Sequence, residues 1–288
     1  MPEEKRLLVA FQGELGAYSE LAARAFFPGE IDVLPAPSFD KVFQVVEEGA
    51  CDYGIIPIEN SLAGSIHQNY DLLLKHDLLI SGEIKLRISH NLIVNPGLCL
   101  KEVRRIYSHP QALSQCDDFI KELPDVEVVP VYDTAGAVKM IKEEAFKDAG
   151  AIASAQAAVD YGLEILESGI ESNHQNFTRF LIISEERMTS RPGSDPKTSI
   201  VFSLPNVPAS LFKSLSVFAL RDINLLKIES RPVLGRPWEY FFYLDFEGDA
   251  EDSRCFRALE HLKEIATFLR VLGSYQKGRD AAGRIRPR

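Results

Sequence analysis

The sequence predicts an α/β protein of two domains, a larger one with open parallel or mixed sheets and a smaller βαββαβ unit. Three observations predict it. Short apolar runs alternate with amphipathic runs through the first 185 residues, as strands and helices do in open α/β sheets. The segment 188–197, MTSRPGSDPK, holds two prolines, a glycine and no apolar periodicity, and so reads as a linker. Beyond it the runs come in the order strand, helix, strand, strand, helix, strand, which is the ferredoxin-like split βαβ arrangement.

In chain order the first domain offers strands at 7–13, 31–36, 53–59, a broken 78–95, 105–108, 126–132, 149–154 and 178–184. Helix-period segments lie between them at 17–27, 39–48, 65–75, 110–123, 134–146 and 155–161. Ser38 can cap the second helix, Pro110 suits a first helical position, and Gly162 follows the sixth where a left-handed cap fits. In the second domain, strand 198–204 leads to helix 208–221, with Leu211, Leu215, Phe218 and Ala219 as its apolar stripe. Strand 223–233, a Leu-Gly-Arg-Pro turn and strand 238–247 follow. Helix 252–270 then buries Phe256, Leu259, Leu262, Ala266 and Leu269, strand 271–275 closes the unit, and the Arg- and Gly-rich tail reads as a frayed end.

Thirty-two Lys and Arg stand against forty-two Asp and Glu in 288 residues, a net charge of −10. Binding nucleic-acid phosphates needs a basic patch or stripe, so that class is disfavoured. Hydrophobic residues make up 45% and charged residues 26%, an ordinary globular composition long enough for two cores. Cys51, Cys99, Cys116 and Cys255 lie far apart with no C-x-x-C, which points to free thiols in a reducing compartment. The apolar run Leu7–Phe11 is too short for a signal peptide, and no stretch approaches the ~18 apolar residues of a membrane span. The expectation is a cytoplasmic protein, with no membrane and no nucleic-acid partner.

Four strand-to-helix junctions carry small polar residues: Gly13-Glu-Leu-Gly-Ala-Tyr-Ser19, Glu59-Asn-Ser61, Ser108-His-Pro110 and Ala153-Ser154. Helix N-termini offer free N–H donors, and open α/β sheets bind ligands beyond the carboxyl ends of their strands. Several such junctions facing one crevice suit a small multi-anionic ligand, while each alone is also an ordinary helix cap. Competing motifs fail. Gly13-x-x-Gly16 lacks the third glycine of a dinucleotide site, and no phosphate-loop lysine is present. Asp133-Thr-Ala-Gly136 reads as a helix cap, the six histidines form no H-E-x-x-H, and no G-x-S-x-G elbow appears.

Read as strings, Gly13-Glu-Leu-Gly-Ala-Tyr-Ser-Glu20, Pro57-Ile-Glu-Asn-Ser-Leu-Ala-Gly-Ser65, Ser108-His-Pro-Gln-Ala-Leu-Ser-Gln115 and Asn176-Phe-Thr-Arg-Phe180 resemble prephenate dehydratase in that order. The later part, with Glu229-Ser-Arg-Pro232, resembles its ACT regulatory domain and is also close to plant-type arogenate dehydratases. The resemblance implies a catalytic domain over 5–185 built as two lobes like a type-II periplasmic-binding protein (5–80 plus 165–185, and 81–164). It further implies a linker at 186–197, a ferredoxin-like βαββαβ ACT domain at 198–276 and a flexible tail at 277–288. No cofactor and no metal are implied. L-phenylalanine is the implied effector, acting on a homodimer or homotetramer joined through the ACT domains.

The implied reaction is a lyase step in phenylalanine biosynthesis. Prephenate carries a ring carboxylate, a pyruvyl carboxylate and a ring hydroxyl, and loses CO2 and the hydroxyl together to become aromatic phenylpyruvate. The protein must supply a donor at the departing hydroxyl and leave the ring carboxylate lightly bound, because that charge disappears in the transition state. By the family pattern Thr178 serves the hydroxyl step, as a positioned donor since a threonine is a feeble acid. His109, with an ordinary pKa near ~6.5, is the alternative acid, or else only a helix cap before Pro110. Asn60 and Ser61 are candidate carboxylate or hydroxyl binders, and Ser19, Gly64, Gln111, Ser154 and Phe180 candidate substrate contacts. Arg179 is a candidate carboxylate clamp, yet neighbouring strand residues face opposite ways. Thr178 and Arg179 both reach the cleft only if the strand bends, and a structural salt bridge is the alternative for Arg179. For the effector, Asn206, Ala209, Ser210 and Leu211 form a helix start for its carboxylate, Ala209 standing where the family has glycine, and Glu229 and Ser230 are candidates for its ammonium group. Arogenate would give phenylalanine by the same chemistry, with activity expected on both substrates and prephenate at least as good. The rival from another class is a non-catalytic amino-acid sensor.

Overall fold

The computed structural model describes residues 6–188, 195–233 and 235–283. The chain divides into two compact units. One comprises the residues up to Leu72, Ile84–Leu181 and those from Arg279, and the other Leu73–Glu83 and Ile182–Gly278.

The first lobe begins with β1 (Leu7–Gln12), α1 (Tyr18–Phe26), β2 (Ile31–Ala36), α2 (Phe39–Glu47), β3 (Tyr53–Asn60), β4 (Gly64–Ser65), α3 (His67–Lys75) and β5 (Leu79–Arg87). The second lobe holds β6 (Asn91–Val94), a 3-10 turn at Leu100–Glu102, β7 (Arg105–Ser108), α4 (Pro110–Gln115), α5 (Asp117–Lys121) and β8 (Glu127–Pro130). It continues with α6 (Thr134–Glu143), β9 (Ala149–Ala153), α7 (Ala155–Tyr161) and β10 (Glu164–Ser168), after which β11 (Phe177–Ser184) rejoins the first sheet. Then come β12 (Pro196–Ser203), α8 (Ser210–Ala219), β13 (Leu225–Pro232), β14 (Tyr240–Glu247), α9 (Ser253–Ile265), β15 (Phe268–Gln276) and β16 (Arg279–Ala282).

The first sheet has the order β16-β5-β11-β3-β1-β2, with β4 on β3, and β1 runs parallel to both β2 and β3. Val9, Ala10 and Phe11 are all fully buried, as expected of a central parallel strand covered on both faces. The second sheet, β10-β6-β9-β7-β8, is mixed. Side-chain caps start the helices where they were expected. Ser38 Oγ accepts from Lys41 N at 3.2 Å, Asp133 Oδ2 from Gly136 N at 3.2 Å and Ser154 Oγ from Ala157 N at 3.1 Å, while Gly162 takes the left-handed conformation after α7 at φ +66°.

The second unit carries the antiparallel sheet β13-β14-β12-β15, the strand order of a ferredoxin-like βαββαβ fold. Phe202, Phe218, Leu244, Phe246 and Leu262 form its core with α8 and α9. Residues 79–83 of β5 belong to this unit. Gly273 permits the approach, since a Cβ there would lie 2.1 Å from Ile80 O. Lys197 is buried and held between Glu83 (2.8 Å) and Asp245 (2.9 Å).

Several expectations are corrected. The lobe boundaries move, because residues 81–87 complete the nine-residue β5 in the first sheet and β10, at Glu164–Ser168, pairs with β6 in the second. The helix expected at 110–123 breaks at Cys116 (φ −110°, ψ 19°) into α4 and α5. The helix expected at 252–270 ends at Ile265, and Leu269 lies in β15, where Phe202 is its register partner. A run of apolar residues at 266, 269 and 271 fits either period, and eight register pairs with β12 decide for strand. Phe256 faces outward. On α8 the buried stripe is Ser210, Ser214, Val217 and Phe218, rotated by one residue so that Leu211 is exposed. The tail is not frayed at 279–282: β16 pairs parallel with β5, from Arg279 on Ile84 to Ala282 on Arg87. A strand edge supplies main-chain partners whatever the side chains, so an Arg-rich tail pairs as readily as an apolar one. The core of the expected linker, 189–194, and Leu234 of the expected turn lie outside the described residues, and β12 already begins at Pro196.

Candidate active site

The two lobes of the first unit enclose a cleft of about 390 Å³. From the first lobe it is lined by Ser19, Asn60, Thr178 and Phe180, and from the second by His109 and Gln111. Six of the ten catalytic and substrate-binding candidates therefore converge.

The polarity of the central contact follows from the backbone. Asn60 ends β3, and its Oδ1 accepts from both Leu62 N and Ala63 N at 3.0 Å. That fixes the amide, so Nδ2 is the end that meets Thr178 Oγ1 at 3.0 Å, sharing its hydrogens with Asn176 Oδ1 at 2.7 Å and Phe177 O at 3.2 Å. Thr178 Oγ1 is thus an acceptor toward Asn60, and its own proton is left for a ligand. Both side chains are buried, at 4% and 8% exposure, so water competes little for that proton.

The remaining four candidates serve the frame. Ser61 Oγ accepts from Phe177 N and donates to Gln175 O, each at 3.0 Å, and so stitches the start of β11 to the end of β3. Gly64 pairs with Asn60 in the β3–β4 turn. Ser154 Oγ donates to Gly16 O at 2.6 Å. That contact presses α7 against Gly16, where a Cβ would fall 2.6 Å from Ala157 Cα. Arg179 points the other way from Thr178, as strand alternation requires, and its guanidinium pairs with Glu59 at 3.0 Å. The structure therefore does not bring Arg179 to the cleft.

Tyr18, His90, Gln115 and Asp133 also line the cleft and were not among the site candidates. Gln115 lies one helical turn after Gln111 on α4, an i, i+4 spacing that could have marked it. Asn176 Nδ2 donates to Gln115 Oε1 at 2.9 Å, and the same oxygen faces His90 Nε2 at 2.9 Å. An amide oxygen only accepts, so Nε2 of His90 carries the proton. Burial pushes the His90 pKa down, opposed by its bond to Gln115, and raises that of Tyr18, whose hydroxyl meets His90 Nδ1 at 2.9 Å and Ser89 O at 2.7 Å. At His109, Nδ1 accepts from Gln111 N at 3.2 Å, and desolvation lowers its pKa. Both imidazoles are neutral Nε2–H donors at pH 7, so His109 caps α4 and offers the cleft a hydrogen bond rather than an imidazolium. Burial pushes the Cys116 thiol up to about 12, which removes it as a nucleophile. Among the described residues no three His, Cys, Asp or Glu side chains converge as a metal site.

The histidines make a stability prediction. Unfolded histidine protonates near ~6.5, while folded His90 resists protonation until a lower pH. Below ~6.5 the unfolded state therefore binds more protons, and stability falls with decreasing pH. Urea unfolding should give full stability at pH 7.5 and lose up to about 1.4 kcal/mol per pH unit from His90 below 6.5. His90→Gln should flatten that slope, and an unchanged slope would remove His90 as its source.

The effector candidates separate. Ala209 caps α8 in the left-handed region, at φ +65° and ψ 10°, which is why glycine suits this position, and its methyl costs roughly 1 kcal/mol there. Ser210 Oγ donates within its own loop, to Pro205 O at 2.8 Å and Val207 O at 3.0 Å. Asn206 and Leu211 are exposed. On edge strand β13, Glu229 and Ser230 face opposite ways, Ser230 with exposed Leu226 and Ile228, so one chain cannot offer both to one ammonium group.

A two-lobed α/β clamp around a buried hydroxyl donor, followed by a βαββαβ unit, defines a small-molecule enzyme with an appended domain. Residues 9–188 match the prephenate dehydratase family, and the chain belongs to that family, whose members are carbon–oxygen lyases. It is 50% identical to arogenate dehydratase 2 of Petunia hybrida over 95% of this chain and 72% of that protein. It is 49% identical to the chloroplastic arogenate dehydratase/prephenate dehydratase 2 of Arabidopsis thaliana, over 94% and 73%. Among solved structures, prephenate dehydratase of Arthrobacter aurescens in complex with L-Phe superposes with a TM-score of 0.86 at 32% identity, covering 94% of this chain and 90% of that one. A protein described as a quorum-quenching acylase also superposes at 0.86, with 37% identity and coverages of 94% and 98%.

Proposed function

We propose that the chain catalyses the decarboxylating dehydration of prephenate to phenylpyruvate, and the same elimination on arogenate to give phenylalanine. The observation that carries this reading is the directed hydroxyl of Thr178, its acceptor side occupied by Asn60 Nδ2. The ring C–carboxylate bond breaks, its electron pair enters the ring, the C–O bond breaks and the departing oxygen takes up a proton, giving CO2, water and an aromatic ring. Thr178 hydrogen-bonds that oxygen as charge builds on it. Ser19, Gln111 and neutral His109 supply donors for the side-chain carboxylate. Acyl transfer would need an activated nucleophile with an adjacent base. The partner of Thr178 is an amide, which favours elimination.

In this reading residues 198–276 are an ACT-type regulatory domain with L-phenylalanine as effector. The βαββαβ topology and the L-Phe complex of the Arthrobacter relative support it. Association of two or four copies through this unit is supported by apolar Leu226 and Ile228, exposed on edge strand β13. Four free cysteines support a cytoplasmic location; among the described residues no helix is long and apolar enough to cross a membrane, and the Arabidopsis relative is chloroplastic by name. The test is the full chain incubated with each substrate, reading phenylpyruvate or phenylalanine by chromatography, with and without added L-phenylalanine. Consumption of neither substrate overturns the catalytic reading and favours the sensor. Turnover untouched by millimolar phenylalanine rejects the regulation alone.

A further inference from the structure

Asp133 is the residue of the cleft that neither its capping role nor the elimination chemistry accounts for. Among the described residues lining the cleft it is the only carboxylate, and no lysine or arginine lines it. Its carboxylate is held from both lobes. Oδ2 accepts from Glu14 N at 3.0 Å and from Gly136 N at 3.2 Å, and neither bond uses Oδ1. The neighbouring cation on the same helix, Lys139, is paired with Glu14 at 3.1 Å. His109, close enough to feel the Asp133 charge, uses Nδ1 to accept from Gln111 N and so meets the cleft as a neutral ring.

The electrostatic consequence differs between the two substrates of the proposed reaction. Prephenate brings two carboxylates and no positive charge into a cleft that already holds one anion, and neutral dipoles alone must offset the repulsion. Arogenate carries an ammonium group where prephenate carries a keto oxygen. An ammonium is three donors around a positive charge, and a half-buried, preorganised carboxylate is its natural acceptor.

We infer that Asp133 is the specificity-determining residue of the cleft, receiving the ammonium group of arogenate and making the amino-bearing substrate the better one. The inference rests on the dehydratase reading of the cleft and names the selectivity of that same site. It reverses the expectation that prephenate is at least as good, which treated Asp133 only as a helix cap.

Asp133→Asn tests it on the full chain, because asparagine keeps an oxygen for the two backbone donors and caps helices as well as aspartate. Asp133→Ser, a second good cap, guards against a folding defect. The quantity read is the ratio of kcat/KM for arogenate to kcat/KM for prephenate. The wild-type chain should prefer arogenate. Asp133→Asn should lower the ratio of kcat/KM for arogenate to that for prephenate by about tenfold or more, and Asp133→Ser should move the ratio the same way. A loss shared equally by both substrates marks Asp133 as structural and overturns the inference, as does a wild-type preference for prephenate. Turnover of neither substrate by the wild type sinks the dehydratase reading itself, and this inference with it.

Discussion

Thr178→Ala is expected to lower kcat by about 10²- to 10³-fold, the ~2.7–4 kcal/mol that a preorganised donor contributes at a developing negative oxygen. Thr178→Ser should retain much of the rate, since the proton and its acceptor contact survive. The sharper variant is Asn60→Asp. A carboxylate at this position still accepts from Leu62 N and Ala63 N, so the turn is kept. It can no longer donate to Thr178, however, and the threonine proton then turns toward the carboxylate and away from the substrate. Asn60→Asp should therefore lose nearly as much kcat as Thr178→Ala, and some stability with it, because the new carboxylate oxygen also faces Asn176 Oδ1 and Phe177 O. Wild-type turnover in either variant would remove Thr178 from the hydroxyl step.

The second large effect is on stability. Lys197 is buried between Glu83 and Asp245, with Ser199 Oγ donating to Asp245 Oδ1 at 2.5 Å and Gly278 N donating to Glu83 Oε1 at 2.8 Å. Lys197→Ala removes the cation and leaves two carboxylates in a site with little access to water, at a cost of about 3–5 kcal/mol. Removing all three charges, as in Lys197→Met with Glu83→Gln and Asp245→Asn, should recover most of that loss, because the penalty comes from uncompensated charge rather than from a missing bond. Urea denaturation of the wild type and the two variants decides. A single substitution costing under about 1 kcal/mol would mean that the site is effectively solvated.

Much of the architecture was legible because it depends on neighbours in the chain. The capping side chains at Ser38, Asp133 and Ser154 act on N–H groups three residues away, and Gly162 needs only its own φ. The apolar runs marked β1, β2 and β7 to within a residue, and in β1 and β7 the buried residues show their apolar character without reference to partners. Where two periods fit one run, as from Ala266 to Val271, local pattern was insufficient and pairing on β12 decided.

The sequence by itself determined most of the order of strands and helices (β4, β10 and β16 apart), the capping residues, the family motifs and the opposed facing of Thr178 and Arg179, all set by local geometry with a period of two or 3.6 residues. Only the tertiary structure decided which way the Thr178 proton points, since Asn60 is fixed by Leu62 and Ala63 but meets a residue 118 positions away. Tertiary contact likewise set Ser61 and Ser154 to hold the frame and brought Gln115, His90 and Asp133 into the cleft. Their pairings span 25 to 119 residues, and no local pattern records a distance of that kind. The last strand shows the same limit most plainly: β16 forms because β5 presents main-chain donors and acceptors at its edge, a property of the folded sheet that leaves no mark on the tail's own composition.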